Sequence, residues 1–248
     1  MGVNPAAAEG FERAADAYER GRPGYPEDAV RWMLEALGIS AGSTVVDLGA
    51  GTGKLTRLLV PSGAHVIAIE PVPAMRRTFT RVLPGVAMVD GTAESMPLST
   101  ASADAVVAAQ AFHWFATRRA VEEIHRVLRP RGGLGLIWNR RDLRDPLQAS
   151  LDAIVQPHRG AAPAHERDQW RQVIDGNPLF EPAGDRQFQQ AQSVDREGVV
   201  DRVVSTSFIA SLDEPARSEV IERVRKATAD HSELVLRYVT DVFLFRRA

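Results

Sequence analysis

One stretch of the 248-residue chain has residue types and spacing that can do chemistry: Val45-Val46-Asp47-Leu48-Gly49-Ala50-Gly51-Thr52-Gly53-Lys54. An apolar run carries an acid, three glycines follow at every second position, and helical periodicity resumes at Leu55, Leu58 and Leu59. A strand-to-helix turn of this kind admits unusual dihedrals and lets a ligand touch the backbone. A phosphate-cradling nucleotide loop needs G-x-x-x-x-G-K and then Ser or Thr. Leu48 and Leu55 stand where its first glycine and its hydroxyl belong, so that reading fails twice. A dinucleotide turn, G-x-G-x-x-G, needs its third glycine where Lys54 stands, and it stays open as the second reading.

The third ligand class is S-adenosylmethionine, whose amino-acid end is zwitterionic and carries no phosphate. Asp47 suits an ammonium, directly or through water. Glu70 ends the next apolar run, His65 to Glu70, at a distance where a carboxylate accepts from both ribose hydroxyls of an adenosine. Dinucleotide enzymes use the same device, so Glu70 supports adenosine without separating the two ligands.

The elements that must hold these residues alternate. Apolar runs at Thr44–Leu48, His65–Glu70, Val86–Val89, Asp104–Ala109 and Leu134–Trp138 read as short strands. Helical patterns lie between them, at Pro26 onward, at Pro73 to Leu83 and at Thr117 to Leu128. An earlier helix carries Phe11, Ala14, Ala15 and Tyr18 on one face. Five such strands imply a parallel sheet covered on both faces, with right-handed crossovers. Residues 142–212 change character and are expected as a substrate-side insertion containing a helix at Asp195–Val204. Residues 213–248 give a terminal helix, Pro215 to Ala229, and a last strand, Leu234 to Phe245. The chain reads as one domain, 1–248, with a cofactor-binding core at 11–140.

Composition narrows the choice. A formal net charge of −2 argues against a nucleic-acid binder. With no cysteine there are no thiolate metal ligands, disulfides or cysteine nucleophiles. No His/Asp/Glu set has metal-ligand spacing, so no metal is expected. No apolar run approaches the roughly 20 residues of a membrane helix, and no leader is visible, so a cytoplasmic protein is expected.

The ordered series of motifs resembles the class I S-adenosylmethionine-dependent methyltransferases. It is closest to the small-molecule branch with trans-aconitate and ubiquinone-pathway enzymes. The family's D-x-G-x-G-x-G is Asp47 to Gly53. Gly91-Thr92-Ala93-Glu94-Ser95-Met96-Pro97-Leu98 is similar to its adenine segment, with Thr92 where many members carry an acid. Gln110-Ala111-Phe112-His113-Trp114-Phe115 resembles a subgroup motif, as does Tyr18 with Arg22-Pro23-Gly24-Tyr25-Pro26. Glu123 to Gly133 is similar to the family's lead into strand five. The resemblance covers about residues 11 to 140. It implies a doubly wound α/β fold: a mostly parallel seven-stranded sheet with a reversed edge strand, and a helical lid. It implies S-adenosyl-L-methionine as cofactor, S-adenosyl-L-homocysteine as product, and methyl transfer, with O-methylation favoured. Cofactor contacts are expected from Asp47, Gly49, Ala50, Gly51, Gly53, Glu70, Pro71, Thr92, Ala93, Glu94 and Gln110. By subgroup resemblance Tyr18 and Arg22 close over the cofactor's carboxylate, with Tyr25 beside them on the substrate side.

Ligands of open parallel sheets lie beyond the carboxyl ends of the strands. Gln110 to Phe115 and Asn139 to Arg141 therefore face the expected site. His113 is read as a general base or as an orienter of the substrate. Trp114, Phe115 and Trp138 could wall an apolar pocket, or simply pack. Asn139 stands beside them. Arg140 and Arg141 could pair a substrate carboxylate or surface acids such as Asp142 and Asp145. The expected partner is a small-molecule methyl acceptor, with no nucleic acid and no membrane. Two alternatives remain: a non-methylating protein that binds the same cofactor, and an NAD-dependent oxidoreductase.

Overall fold

Adjacent apolar residues in a strand point to opposite faces, so a run such as Val45-Val46 or Val106-Val107 needs cover on both sides. The computed structural model, which describes residues 15–160 and 169–248, supplies it. The strands are β1 (Thr44–Leu48), β2 (His65–Ile69), β3 (Ala87–Val89), β4 (Ala103–Ala109), β5 (Leu128–Arg141), β6 (Phe180–Val194) and β7 (Leu234–Arg247). They form one sheet in the order β3-β2-β1-β4-β5-β7-β6. All neighbours are parallel except β7, which runs against both β5 and β6. The reversed strand is thus next to the edge, and β6 closes it.

The helices are α1 (residues 15–21), α2 (Glu27–Leu37), α3 (Thr56–Leu59), α4 (Pro73–Val82), α5 (Arg118–Val127), α6 (Pro146–Val155), α7 (Arg196–Val204), α8 (Ser207–Ala210) and α9 (Glu214–Thr228). Side-chain caps start four of them: Thr117 accepts from Ala120 N, Asp145 from Gln148 N, Asp195 from Gly198 N and Asp213 from Ala216 N. One core layer joins Val46, Val106 and Leu136 to α5 through Val121 and Ile124. The opposite layer joins Val45, Val107 and Ile137 to α2 through Val30, Met33 and Leu37. A third cluster binds α6, α7 and α9 to Leu234, Leu236 and Tyr238. Tyr238 pairs with Arg141, so this helical layer stands over the carboxyl end of β5. No helix among the described residues is long and apolar enough to cross a membrane.

One expectation changes. The stretch 142–212 is not all insertion: residues 180–194 form β6, a strand of the sheet itself. Its solvent-facing, glutamine-rich sequence hides it, because one partner strand and an exposed edge demand little apolar surface. The N-terminal helix is docked. Phe11 and Ala14, expected on its packing face, lie outside the described residues, but Ala15 and Tyr18 pack on Val72, Ala74 and Met75. Glu19 pairs with Arg57 at 2.9 Å, and Arg20 pairs with Asp201 of α7 at 2.7 Å. The segment therefore straps the turn after β1 to α7.

Candidate active site

β1 and β4 are neighbours, while β2 and β3 lie on the far side of β1, so the sheet switches direction between β1 and β4. Such a switch opens a crevice at the carboxyl ends of the strands. The glycine loop and the segment Gln110–Phe115 both sit there. They touch: a Cβ on Gly49 would come within 2.8 Å of Ala111 Cβ. Gly51 has φ +58°, yet a Cβ there would meet nothing within 4 Å. The loop is thus closed on one side and accessible on the other.

Two buried carboxylates support the loop. Glu70 Oε2 accepts from Gly51 N at 3.0 Å, and Oε1 accepts from Val72 N at 2.8 Å. Burial pushes the Glu70 carboxyl up to about 7, against the pull of these two amides. Asp47 lies beneath the loop, where Oδ2 accepts from the Thr56 hydroxyl at 2.5 Å. Its Oδ1 has no partner among the described residues, and burial raises this carboxyl to about 6. Ala50 and Gly53 back onto Phe79 of α4. Pro71 O accepts from Arg76 Nη1 at 2.7 Å, which fixes the turn after β2. Thr92 bridges to Ser95, Ala93 is buried, and Glu94 O accepts from Arg119.

Beside the loop lies a cavity of about 880 Å³ beyond the ends of β4 and β5. Of the expected residues, Tyr18, Arg22, Gln110, His113, Trp114, Asn139 and Arg140 line it. Gln110 adopts φ +55° and donates from Nε2 to Asn139 O at 2.8 Å. A non-glycine residue held there is backbone strain kept at a site. Asn139 donates to Gly24 O at 2.7 Å and accepts from Thr240 Oγ1 at 2.6 Å, tying the N-terminal segment to the sheet. Arg140 pairs with Asp241 at 2.9 Å, not with Asp142 or Asp145. Asp142 is taken by Arg144 at 2.7 Å. Tyr18 is half-buried, desolvation raises its phenol, and it senses both Arg22 and Glu70. It therefore stands between loop and cavity.

His113 accepts at Nδ1 from Trp138 Nε1 at 3.1 Å. A neutral imidazole with an occupied Nδ1 lone pair carries its proton on Nε2.

Two expected substrate residues lie elsewhere. Trp138 is fully buried, with its ring 4.8 Å from Trp170 and 6.0 Å from Phe243. It sits on a central strand covered on both faces, so it packs and holds His113. Tyr25 is buried in the layer under α2, which raises its phenol well above the usual range. Phe115 packs on the core and meets Phe112 edge-on at 5.6 Å. Of the remaining histidines, His125 accepts from Arg247 Nε at 3.1 Å, and His165 lies outside the described residues. Among the described residues no three His, Asp or Glu side chains converge as a metal site requires.

Sequence reasoning passed over Arg202 and Thr206, which also line the cavity. The available signal was an arginine among the valines of α7: Val199, Val200 and Val203 are buried, and so is Arg202.

The comparisons with known proteins agree with this geometry. The family model described as a methyltransferase domain matches residues 46–136, from β1 to β5. An uncharacterized methyltransferase of Mycobacterium tuberculosis is 39% identical over 236 residues, covering 93% of this chain and 92% of that protein. Two solved structures share the fold. A proposed type II methyltransferase of Anaeromyxobacter dehalogenans superposes with a TM-score of 0.61 at 24% identity, over 91% of this chain and 97% of that one. The cyclase SpnF superposes with a TM-score of 0.60 at 15% identity, over 100% and 98%. With its sheet order, its glycine loop and a relative of this similarity along nearly its whole length, the chain belongs to the class I S-adenosylmethionine-dependent methyltransferases.

Proposed function

We propose that the chain methylates an oxygen of a small organic molecule held in the cavity beyond β4 and β5. The observation that carries this reading is the contact of Gly49 with Ala111, which puts the glycine loop against the segment that walls the cavity. When bound, S-adenosylmethionine supplies a methyl carbon on a sulfonium, open to in-line displacement.

The loop residues suit that cofactor better than a dinucleotide. The buried carboxylate of Asp47 lies beneath the loop, where a pyrophosphate would be repelled. α3 is four residues long, too short for a strong anion-binding helix end. Gly51 leaves room for close approach, and each Glu70 oxygen keeps a lone pair for a ribose hydroxyl. Asp47, Gly49, Ala50, Gly51, Gly53, Glu70 and Pro71 are assigned to holding the loop and the ribose. Thr92, Ala93 and Glu94 are assigned to adenine. Tyr18, Arg22 and Gln110 are assigned to the amino-acid end, with the docked strap excluding water.

His113 is a positioning donor in this reading, held by Trp138. Trp114, Asn139 and Arg140 wall the acceptor. The test is transfer of a labelled methyl group from S-adenosylmethionine to a panel of carboxylic acids, phenols and alcohols. The expected result is label in an organic product, matched by released S-adenosylhomocysteine. Because a cyclase shares the fold, the readout must be transfer and not binding alone. No transfer to any acceptor of these classes would overturn the proposal.

A further inference from the structure

Six arginines and two aspartates line the cavity, so its field favours an anion. Three of the six matter most. Arg22 donates to Ser205 Oγ and Ser205 O, both at 3.1 Å. Arg202 is 6% exposed, donates from Nε to the Tyr238 hydroxyl at 3.1 Å, and leaves Nη1 without a partner among the described residues. Arg141 reaches Gln148 Oε1 only at 3.5 Å, and its nearest acid, Asp152, is 3.8 Å away. The Thr206 hydroxyl, also on the cavity wall, is buried and unpartnered too.

Burying a guanidinium without a close carboxylate is costly, and the cost grows when a second lies beside it. Arg141 feels this: burial and then Arg202 bring it down to about 9. Arg22, pulled down to about 10 by burial and then by Arg202, belongs to the same group. No described acid closes a hydrogen bond on Arg141 or Arg202. Apolar residues would fill this space more stably, and a ligand that brings the missing negative charge accounts for the arrangement.

We propose that the methyl acceptor is recognised through an anionic group, a carboxylate or a phosphate, seated between Arg141 and Arg202 with the Thr206 hydroxyl as a further contact. This rests on the reading of the cavity as the acceptor site. Arg22 stays with the cofactor's end. A guanidinium pair offers forked N–H donors that match the paired oxygens of either group.

The test uses the full chain with saturating S-adenosylhomocysteine, whose affinity is first measured by calorimetry. Melting is then followed in sodium citrate and in sodium phosphate, each against sodium chloride at equal ionic strength. At least one of the two anions should raise the melting temperature by about 2–4 °C beyond chloride, and which one identifies the group. Arg202→Met and Arg141→Met should each abolish that shift, Arg202→Lys should keep part of it, and all three should bind S-adenosylhomocysteine as wild type does. If Arg202→Met does not fold, Arg141→Met and Arg202→Lys decide alone. Neither anion shifting the wild type, or the shift surviving in a folded Met variant, overturns the proposal. S-adenosylhomocysteine binding with no anion shift defeats this inference only, whereas a wild type that fails to bind S-adenosylhomocysteine defeats the functional reading beneath it.

Discussion

Glu70 is the residue at which loop geometry, burial and charge meet. Its carboxyl, like that of Asp47, is raised by burial, to about 7 and about 6 respectively. A group with a raised folded pKa binds its proton more tightly in the native state. Its stabilisation is fully present below the unfolded value, near 4, and is lost as pH rises through the folded value. The ligand-free protein should therefore lose melting temperature between about pH 4.5 and 7, and Glu70→Gln should flatten much of that slope. Arg76 and Asp47 face Glu70 and act in opposite senses, so neither alone reproduces the slope. S-adenosylhomocysteine binding should show the opposite trend in wild type, strengthening up to about pH 7 as Glu70 becomes an acceptor. A wild-type affinity that is flat from pH 5 to 8 would remove Glu70 from the ribose. His113 gives a second residue-level expectation. As a positioning donor it can be replaced by Gln with turnover kept within about tenfold, while His113→Ala chiefly raises KM. A general base would instead lose roughly 10²–10⁴ in kcat in both variants. Steady-state kinetics on the first identified acceptor separates the two.

Among the elements, α1 makes its tightest approach to α7 at Gly21. A Cβ on Gly21 would stand 2.3 Å from Arg202 N and 2.4 Å from Asp201 C, both rigid backbone of α7. Gly21→Val should lift the strap from α7 while the sheet and its two main layers stay intact. Hydrogen exchange of residues 15–25 should rise to that of an exposed segment, with S-adenosylhomocysteine affinity falling about tenfold or more and the melting temperature little changed. Exchange unchanged from wild type would mean that α1 does not depend on this contact. β1, β2 and β4 were legible because their strands are continuous apolar runs ending in marked turns. α2, α4, α5 and α9 were legible from apolar spacing and from Pro or Asp/Thr at their starts. β6 was not, since a long edge strand with polar side chains such as Gln187, Gln190 and Gln192 carries no apolar alternation. Nothing local to Gly21 says that α7 arrives against it. Arg202 was invisible as a site residue for the same reason, because the cavity brings it to Arg141 from 61 positions away in the chain.

At the scale of the molecule, sheet order does most of the positioning. The switch between β1 and β4 puts the glycine loop beside Gln110, and the long β5 and β7 carry Asn139, Arg140 and Arg141 out under the helical layer. The glycine loop and Glu70 were legible because one is a continuous stretch of sequence and the other ends the next apolar run. The helical side of the cavity was not, because it is assembled from α6, α7 and the turn before α8. Trp138 and Tyr25 were misplaced for a related reason: aromatic residues near a site look alike in sequence whether they line it or pack behind it. The two ligand readings of the glycine turn make opposite statements about which adenosine cofactor the molecule holds. Calorimetric titration of the full chain with S-adenosylhomocysteine and, separately, with NAD distinguishes them. One equivalent of S-adenosylhomocysteine should bind, with Glu70→Ala weakening it, and NAD should give no binding heat. Binding of NAD with none of S-adenosylhomocysteine would contradict the placement of the cofactor on the loop from Asp47 to Gly53.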